Sequence, residues 1–311
     1  MAATPPSRRT FSRSILVTDS GLGGLSVFNE IANQLDQSSP WPRVRLVYFN
    51  AWPAPLRGYN HLGTMAQRAR VFDNALNAMA QFGPDLMLIA CNTLSVIYPH
   101  TRFSRSPHIQ VEGIVDHGIQ MLYDNLIADP DSVAVLLGTP TTIDARRHEA
   151  GLIRHGIAKE RVINVRCTNL AGWIERAPFA ETVNDLIQKF VKVAGRKLGD
   201  FRGHVYAALC CTHFGYRQML FEQAFAEWVD AKVTILNPNL RMARKMFETA
   251  GTVSAGPAHV EMQIVSKAVW EKEQVGAYLN LLPNISRSVR DALVGYTVDD
   301  HLFSVDDKPP T

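Results

Sequence analysis

The sequence predicts an α/β fold made of two similar units, and three observations carry that prediction. Short apolar runs of strand length alternate with longer stretches whose apolar residues recur at helical spacing. Several of the apolar runs stop abruptly on Gly, Cys, Thr or Asp, the kind of strand end at which open parallel sheets place their ligands. The plan also occurs twice, since Asp19 precedes Cys91 by 72 positions and Thr139 precedes Cys211 by 72.

In the first unit, Ser14–Thr18 is a buried strand that runs into Asp19-Ser20-Gly21-Leu22-Gly23-Gly24. Three glycines in four residues permit positive φ or close backbone approach, and a helix is predicted from Leu25 to Leu35. The turn is G-x-G-G, neither the dinucleotide fingerprint nor a P-loop, so it gives little support to nucleotide binding. Asp19 either caps this turn or serves chemistry. Arg43–Phe49 is the second strand, and an irregular loop follows from Asn50 to Asn60. Met65–Phe82 is a core-facing helix stopped by Gly83-Pro84, and Leu86–Ala90 is a strand ending in Cys91-Asn92-Thr93.

The second unit repeats this order. Ser132–Leu137 is a strand leading into Gly138-Thr139-Pro140-Thr141-Thr142, followed by a helix rich in Arg and His. Val162–Val165 is a strand, Glu181–Leu198 an amphipathic helix, and Val205–Leu209 a strand ending in Cys210-Cys211-Thr212-His213. Beyond it come a helix over Phe214–Trp228, a strand over Lys232–Leu236 and a helix over Leu240–Thr249. The last sixty residues are harder to place. Val260–Val269 reads as a strand or a short helix, Ser286–Leu293 as a helix, and Asp306–Thr311 as a loose end. The domains expected are 1–113 plus 237–311 for the first, with a disordered tail over 1–13, and 114–236 for the second.

Composition narrows the function classes. With 46% hydrophobic and 20% charged residues the chain has ample core material, and a net charge of +3 is too small to draw it to nucleic acid. The four cysteines, Cys91, Cys167, Cys210 and Cys211, form neither a disulfide framework nor C-x-x-C pairs, which fits a reducing compartment. No secretory segment and no run of membrane-spanning length is apparent, so a cytoplasmic location is expected. Cys167 is read as filler. Cys210 is read as structural, because side chains alternate along a strand. His148 and His155, in a basic stretch, are read as solvated.

Two such units facing each other would bring Cys91 and Cys211 to opposite sides of one cleft. Thiols on opposite faces of a carbon suit stereoinversion, one removing a proton while the other delivers one. Each needs an assistant to become a thiolate, and Asp19 and His213 are suitably placed in sequence. Ser20, Asn92, Thr93 and Thr212 offer hydrogen bonds to an ammonium and a carboxylate. No motif for a metal, flavin or pyridoxal phosphate is apparent.

Asp19–Ser26, Ala90-Cys-Asn-Thr93, Leu137-Gly-Thr-Pro-Thr-Thr142 and Cys211-Thr-His213 resemble, in order, the signature segments of glutamate racemase in the aspartate/glutamate racemase superfamily. The resemblance spans residues 15 to about 240. It implies two Rossmann-like domains with a cleft between them, no cofactor, a free amino acid as the small-molecule partner, and a D-amino acid product of the kind used in peptidoglycan precursors. It also implies that Cys91 acts on the D-enantiomer with Asp19, and Cys211 on the L-enantiomer with His213. Ser20, Asn92, Thr93 and Thr212 would hold the α-substituents, and Thr139 and Thr142 the side-chain carboxylate. Neither nucleic acid nor membrane is an implied partner. Relatives are often homodimers, although the sequence itself shows no oligomeric state.

The chain departs from the family pattern in four places. The usual Pro-Tyr-Gly is here Pro55-Leu56-Arg57-Gly58-Tyr59, Thr141 replaces a Gly, Phe214-Gly215 replaces an aromatic-Pro pair, and Asn237 replaces an Asp. Arg57 and Gly58 are therefore candidate side-chain ligands, with Tyr59 and Asn60 as substitutes if the loop has shifted. Glutamate is the expected substrate. The alternatives are aspartate or another amino acid, another carbon-acid reaction of the superfamily, or a non-catalytic binding relative.

Overall fold

A computed structural model describes residues 11–53, 58–248 and 256–305. The first unit comprises β1 (Arg13–Asp19), α1 (Leu25–Gln37), β2 (Arg43–Asn50), α2 (Met65–Ala80), β3 (Leu86–Ile89), α3 (Asn92–Ile97) and β4 (Gln110–Gly113). The linking helix α4 (Ile114–Ala128) leads to β5 (Val133–Gly138), α5 (Pro140–Asp144), α6 (Arg147–Arg154), β6 (Val162–Arg166), α7 (Leu170–Arg176), α8 (Glu181–Leu198) and β7 (His204–Cys210). A 3₁₀ turn over Thr212–Arg217 precedes α9 (Gln218–Trp228), β8 (Lys232–Leu236) and α10 (Pro238–Glu248). The chain then adds β9 (His259–Ser266), α11 (Lys272–Leu281), α12 (Arg287–Val294) and β10 (Thr297–Val298).

The strands form two parallel sheets, a six-stranded one in the order β10-β9-β2-β1-β3-β4 and a four-stranded one in the order β6-β5-β7-β8. Without β9 and β10, the first order becomes β2-β1-β3-β4, the same arrangement as the second. The repeat seen in sequence spacing is therefore a repeat of topology. It places Cys91 after β3 and Cys211 after β7, equivalent strands beside the central β1 and β5.

Each sheet buries both faces, which is why its strands read as continuous apolar runs instead of alternating ones. Helix α8 shows how the pattern works: Val183, Ile187, Phe190, Val191 and Ala194 point into the second core, each large side chain contributing roughly 1.5–3 kcal/mol. Cys210 lies in the core on one face of β7 and Cys211 in the core on the other, as strand alternation requires. Among the described residues no helix is long and apolar enough to cross a membrane.

Several expectations need correction. The tail expected over 1–13 ends earlier, because the Ser12 amide donates to the Arg43 carbonyl at 2.9 Å and Arg13 lies over the Trp41 ring. Residues 1–10 and 306–311 lie outside the described set. The Arg- and His-rich helix is two helices broken at Arg146, whose φ is +50°. The break turns His148 inward beside Gly118 of α4; it is buried, not solvated, whereas His155 is exposed. Val260–Val269 resolves as strand, since β9 pairs with the whole of β2 from Arg43 to Asn50. Helices α3, α4, α7 and α11 were not predicted, and α7 and α11 matter to the site.

Candidate active site

The carboxyl ends of β1 and β3 face those of β5 and β7, and the glycine turn after β1 lies between them. None of Gly21, Gly23 or Gly24 has a positive φ; close approach explains all three. A Cβ on Gly21 would lie 2.8 Å from the Glu175 carboxylate, one on Gly23 2.3 Å from the Thr212 hydroxyl and 2.6 Å from His213 Nδ1, and one on Gly24 2.7 Å from the Asp19 Cβ. The second unit is thus pressed against bare backbone. From behind, Tyr48 and Asn50 both donate to the Gly21 carbonyl, at 2.6 and 3.0 Å. From the front, the Tyr216 hydroxyl reaches the Leu22 carbonyl at 3.1 Å.

Asp19 is fully buried at the end of β1. Its carboxylate accepts the Gly21 amide at 3.1 Å and the Thr212 hydroxyl at 2.8 Å, the latter a bond between the two units. Burial pushes its pKa up, and the Glu175 charge adds to that; the charge of His213 and the bonds from Thr212 and Gly21 offset part of the rise. Cys91 caps the N-terminus of α3, with Ser20 Oγ 3.2 Å from its sulfur. Burial raises the Cys91 pKa and the Asp19 charge raises it further, while the Ser20 bond and the backbone amides of Leu94 and Ser20 act the other way. The group bonded to this thiol is therefore Ser20, and Asp19 acts on it through its charge.

The second thiol has a different environment. Cys211 Sγ lies 3.8 Å from His213 Nδ1, and the other ring nitrogen, Nε2, is hydrogen-bonded to the buried carboxylate of Glu175. A carboxylate there assigns the proton to Nε2, leaving Nδ1 to accept from the Cys211 thiol in the neutral ring or to donate to its thiolate in the charged one. Burial alone would lower the His213 pKa, but the Glu175 charge and the bonds to Cys211 and Glu175 overcome it and raise the value well above the usual histidine range. Glu175 also accepts from the Leu22 amide at 2.9 Å, from Tyr278 at 3.3 Å and from Gln274 at 3.3 Å. A buried carboxylate without such partners would carry a penalty of several kcal/mol.

Sequence reasoning missed Glu175, Gln274 and Tyr278. The signal was faint: Glu175 is one acidic residue in the apolar stretch Leu170-Ala-Gly-Trp-Ile-Glu175, and α11 has only one buried residue, Tyr278.

The predicted hydrogen-bonding residues do gather at the cleft. The hydroxyls of Thr93, Thr139 and Thr142 form a closed triangle, at 2.9, 3.3 and 3.1 Å, across the two units. Asn92 is buried, with neither side-chain polar atom partnered among the described residues. The Thr141 amide donates to Asn60 at 3.3 Å, which ties the loop after β2 to the second unit. Tyr59 is buried on Phe72, its hydroxyl unpartnered among the described residues and near enough to feel the charge of Cys91. Gly58 is described with open space around it, and Arg57 lies outside the described residues.

No family model matches the chain. The glutamate racemase of Vibrio cholerae is 28% identical over 275 residues, covering 86% of this chain and 92% of that protein. The crystal structure of a glutamate racemase isoform from Bacillus anthracis superposes with a TM-score of 0.66 at 19% identity, covering 92% of this chain and 96% of the other. That of the Francisella tularensis glutamate racemase, solved with D-glutamate, does so with a TM-score of 0.63 at 18% identity, covering 92% and 95%. Over most of its length the chain is similar to glutamate racemases, and its fold is that of the glutamate racemase structures.

Two departures from the racemase pattern touch each other. A Cβ on Gly215 would lie 2.6 Å from Asn237 Nδ2, so the side chain of Asn237 packs against the bare backbone of Gly215. Asn237 Oδ1 accepts the Asn239 amide at 3.1 Å, and Asn239 in turn donates to the Thr212 carbonyl at 3.1 Å and to Ser26 at 2.9 Å. The substituted pair supports the backbone of Thr212 from behind and leaves the thiols' surroundings alone. Cys167, expected as filler, is buried and bonds weakly to the Val165 carbonyl.

Proposed function

We propose that the protein racemises an amino acid by two-thiol proton transfer, with glutamate as its substrate. One observation carries the reading: two thiols stand after topologically equivalent strands, each with its own proton-handling partner, Ser20 at Cys91 and His213 at Cys211. Cys211 would become a thiolate by giving its proton to His213 Nδ1, the imidazolium being held by Glu175. As thiolate it removes the Cα proton of the L-enantiomer, and the Cys91 thiol delivers a proton to the opposite face. In the reverse direction Cys91 is the base for the D-enantiomer, with Ser20 bonded to its sulfur and Asp19 behind it.

Ser20, Asn92, Thr93 and Thr212 serve the α-ammonium and α-carboxylate, and the unpartnered Asn92 amide is the best placed of them. Thr139, Thr141 and Thr142 with Gly58 and Arg57 are assigned to the side chain. Support for glutamate comes from the glutamate racemases matched over most of both chains. A second reading, aspartate, is favoured by the rewritten loop after β2 and by the fold likeness to the Picrophilus torridus aspartate racemase. We place the domain boundaries at 113/114 and 236/237, because α10 packs on α1 and β9 pairs with β2.

The experiment is exchange of Cα hydrogen in D₂O over a panel of D- and L-amino acids. Exchange and inversion of glutamate support the reading, and exchange of aspartate alone selects the second. Tight binding of an amino acid without exchange would mean that the cleft binds and does not catalyse.

A further inference from the structure

Helix α11 stands apart from the catalytic motifs in sequence yet ends on the catalytic relay. It belongs to the first unit's core, where Tyr278 is wholly buried alongside Leu282, Trp270 and the side chains of β1 and β2. Its partner Glu175 belongs to α7 of the second unit. Three of the four donors to that carboxylate come from the first unit: the Leu22 amide, the Tyr278 hydroxyl and the Gln274 amide, which also donates to the Glu175 backbone carbonyl at 3.1 Å. The fourth is His213 Nε2.

Glu175 and His213 both belong to the second unit, so donors from the first unit help to set the direction in which the carboxylate that holds the imidazole points. We infer that Gln274 and Tyr278 are positioning residues for the Cys211 half of the reaction, fixing Glu175 so that His213 Nδ1 faces the thiol. The inference rests on the racemase reading. It is specific to one half, because no donor from α11 reaches Cys91, Ser20 or Asp19 among the described residues. Tyr278 and Gln274 touch neither thiol, so their effect is exerted through Glu175.

The consequence is kinetic and directional. Loss of the Tyr278 hydroxyl removes one hydrogen bond to a charged group, which should lower kcat/KM on the order of 10-fold. The fall must be equal for both enantiomers, since their equilibrium constant is one. The isotope effects need not be equal. With Cα-deuterated L-substrate, Cys211 breaks the labelled bond, so slowing that step exposes a larger primary isotope effect on kcat/KM. With deuterated D-substrate, Cys91 breaks the bond first and the slowed Cys211 step follows, so the isotope effect shrinks toward one.

The test compares Tyr278→Phe, Gln274→Leu and wild type with both deuterated enantiomers of the substrate found by the exchange screen. Gln274 is half-buried, so its variant guards against a folding defect in the other. Opposite movement of the two isotope effects in either soluble variant supports the inference. A uniform loss of activity with both isotope effects unchanged would overturn it and make α11 structural only. Wild type that exchanges no amino acid would overturn the racemase reading and this inference with it.

Discussion

The two cysteine half-sites occupy equivalent places in a repeated fold but are built differently. Cys91 has a hydroxyl bonded to its sulfur and a buried carboxylate acting on it at a distance, and both burial and that charge hold it in the thiol form. Cys211 has an imidazole at hydrogen-bonding range for sulfur, backed by a carboxylate that draws donors from both units. Equivalent backbone positions fix where the thiols stand; the neighbours give each a different partner for its proton. The comparison predicts a resting enzyme poised with Cys91 protonated, ready to deliver, and Cys211 served by a base, ready to abstract.

The largest effect should come from the thiols themselves. Cys91→Ala and Cys211→Ala should each lower racemisation by at least about 10³-fold, because each removes the only proton carrier on one face, while Cys210→Ala should leave the rate within about twofold; polarimetry on all three checks this.

Next should come the relay. Glu175→Gln should lower kcat by about 10²-fold and move the limb of the pH–rate profile that reports His213 to lower pH, since the carboxylate is what raises His213 above an ordinary histidine. The groups that act on His213 are Glu175 on α7, bonded to Nε2, Cys211, bonded to Nδ1, and Asp19 on β1, which acts through its charge. The same raised pKa affects stability: its contribution is complete below the unfolded value of about 6.5 and is lost as pH rises through the higher folded value. Melting of wild type against Glu175→Gln across that range should show the difference narrowing as pH increases.

Smaller, but diagnostic of how the units meet, is Gly23→Ala. Its Cβ would fall within 2.6 Å of His213 Nδ1 and closer still to Thr212, so the unit carrying Cys211 must retreat while Cys91 keeps its bond to Ser20. A fall in kcat of about 10-fold or more is expected, with Cys91 alkylated at its wild-type rate by a thiol reagent. The smallest effect should be in Cys210→Ala again, now read as stability, at about 1 kcal/mol for a small apolar group lost from the core and measured by urea denaturation.

How far the sequence reached follows the same division. The thiols, Asp19, His213 and the threonines were legible because they close apolar strands, and strand ends are marked by an abrupt change of residue type. The repeat was legible because spacing survives divergence. Glu175 was not, since a carboxylate in a short apolar helix has no local mark; its role appears only when four donors converge on it from Leu22, His213, Gln274 and Tyr278. The glycine turn was half legible: three glycines announced a constraint, but whether it was positive φ or a neighbour's approach depended on residues about 150 to 190 positions away. The paired departures at Gly215 and Asn237 looked like two independent oddities until their contact was seen.

The central claim is that each thiol works one face of Cα. It is tested most directly by following Cα deuterium incorporation from D₂O by proton NMR in Cys91→Ser and Cys211→Ser, starting from pure L- and pure D-glutamate. The account predicts that Cys91→Ser exchanges the L-enantiomer alone and Cys211→Ser the D-enantiomer alone, each without inversion. Exchange of both enantiomers by either variant, or of the opposite one, would contradict it.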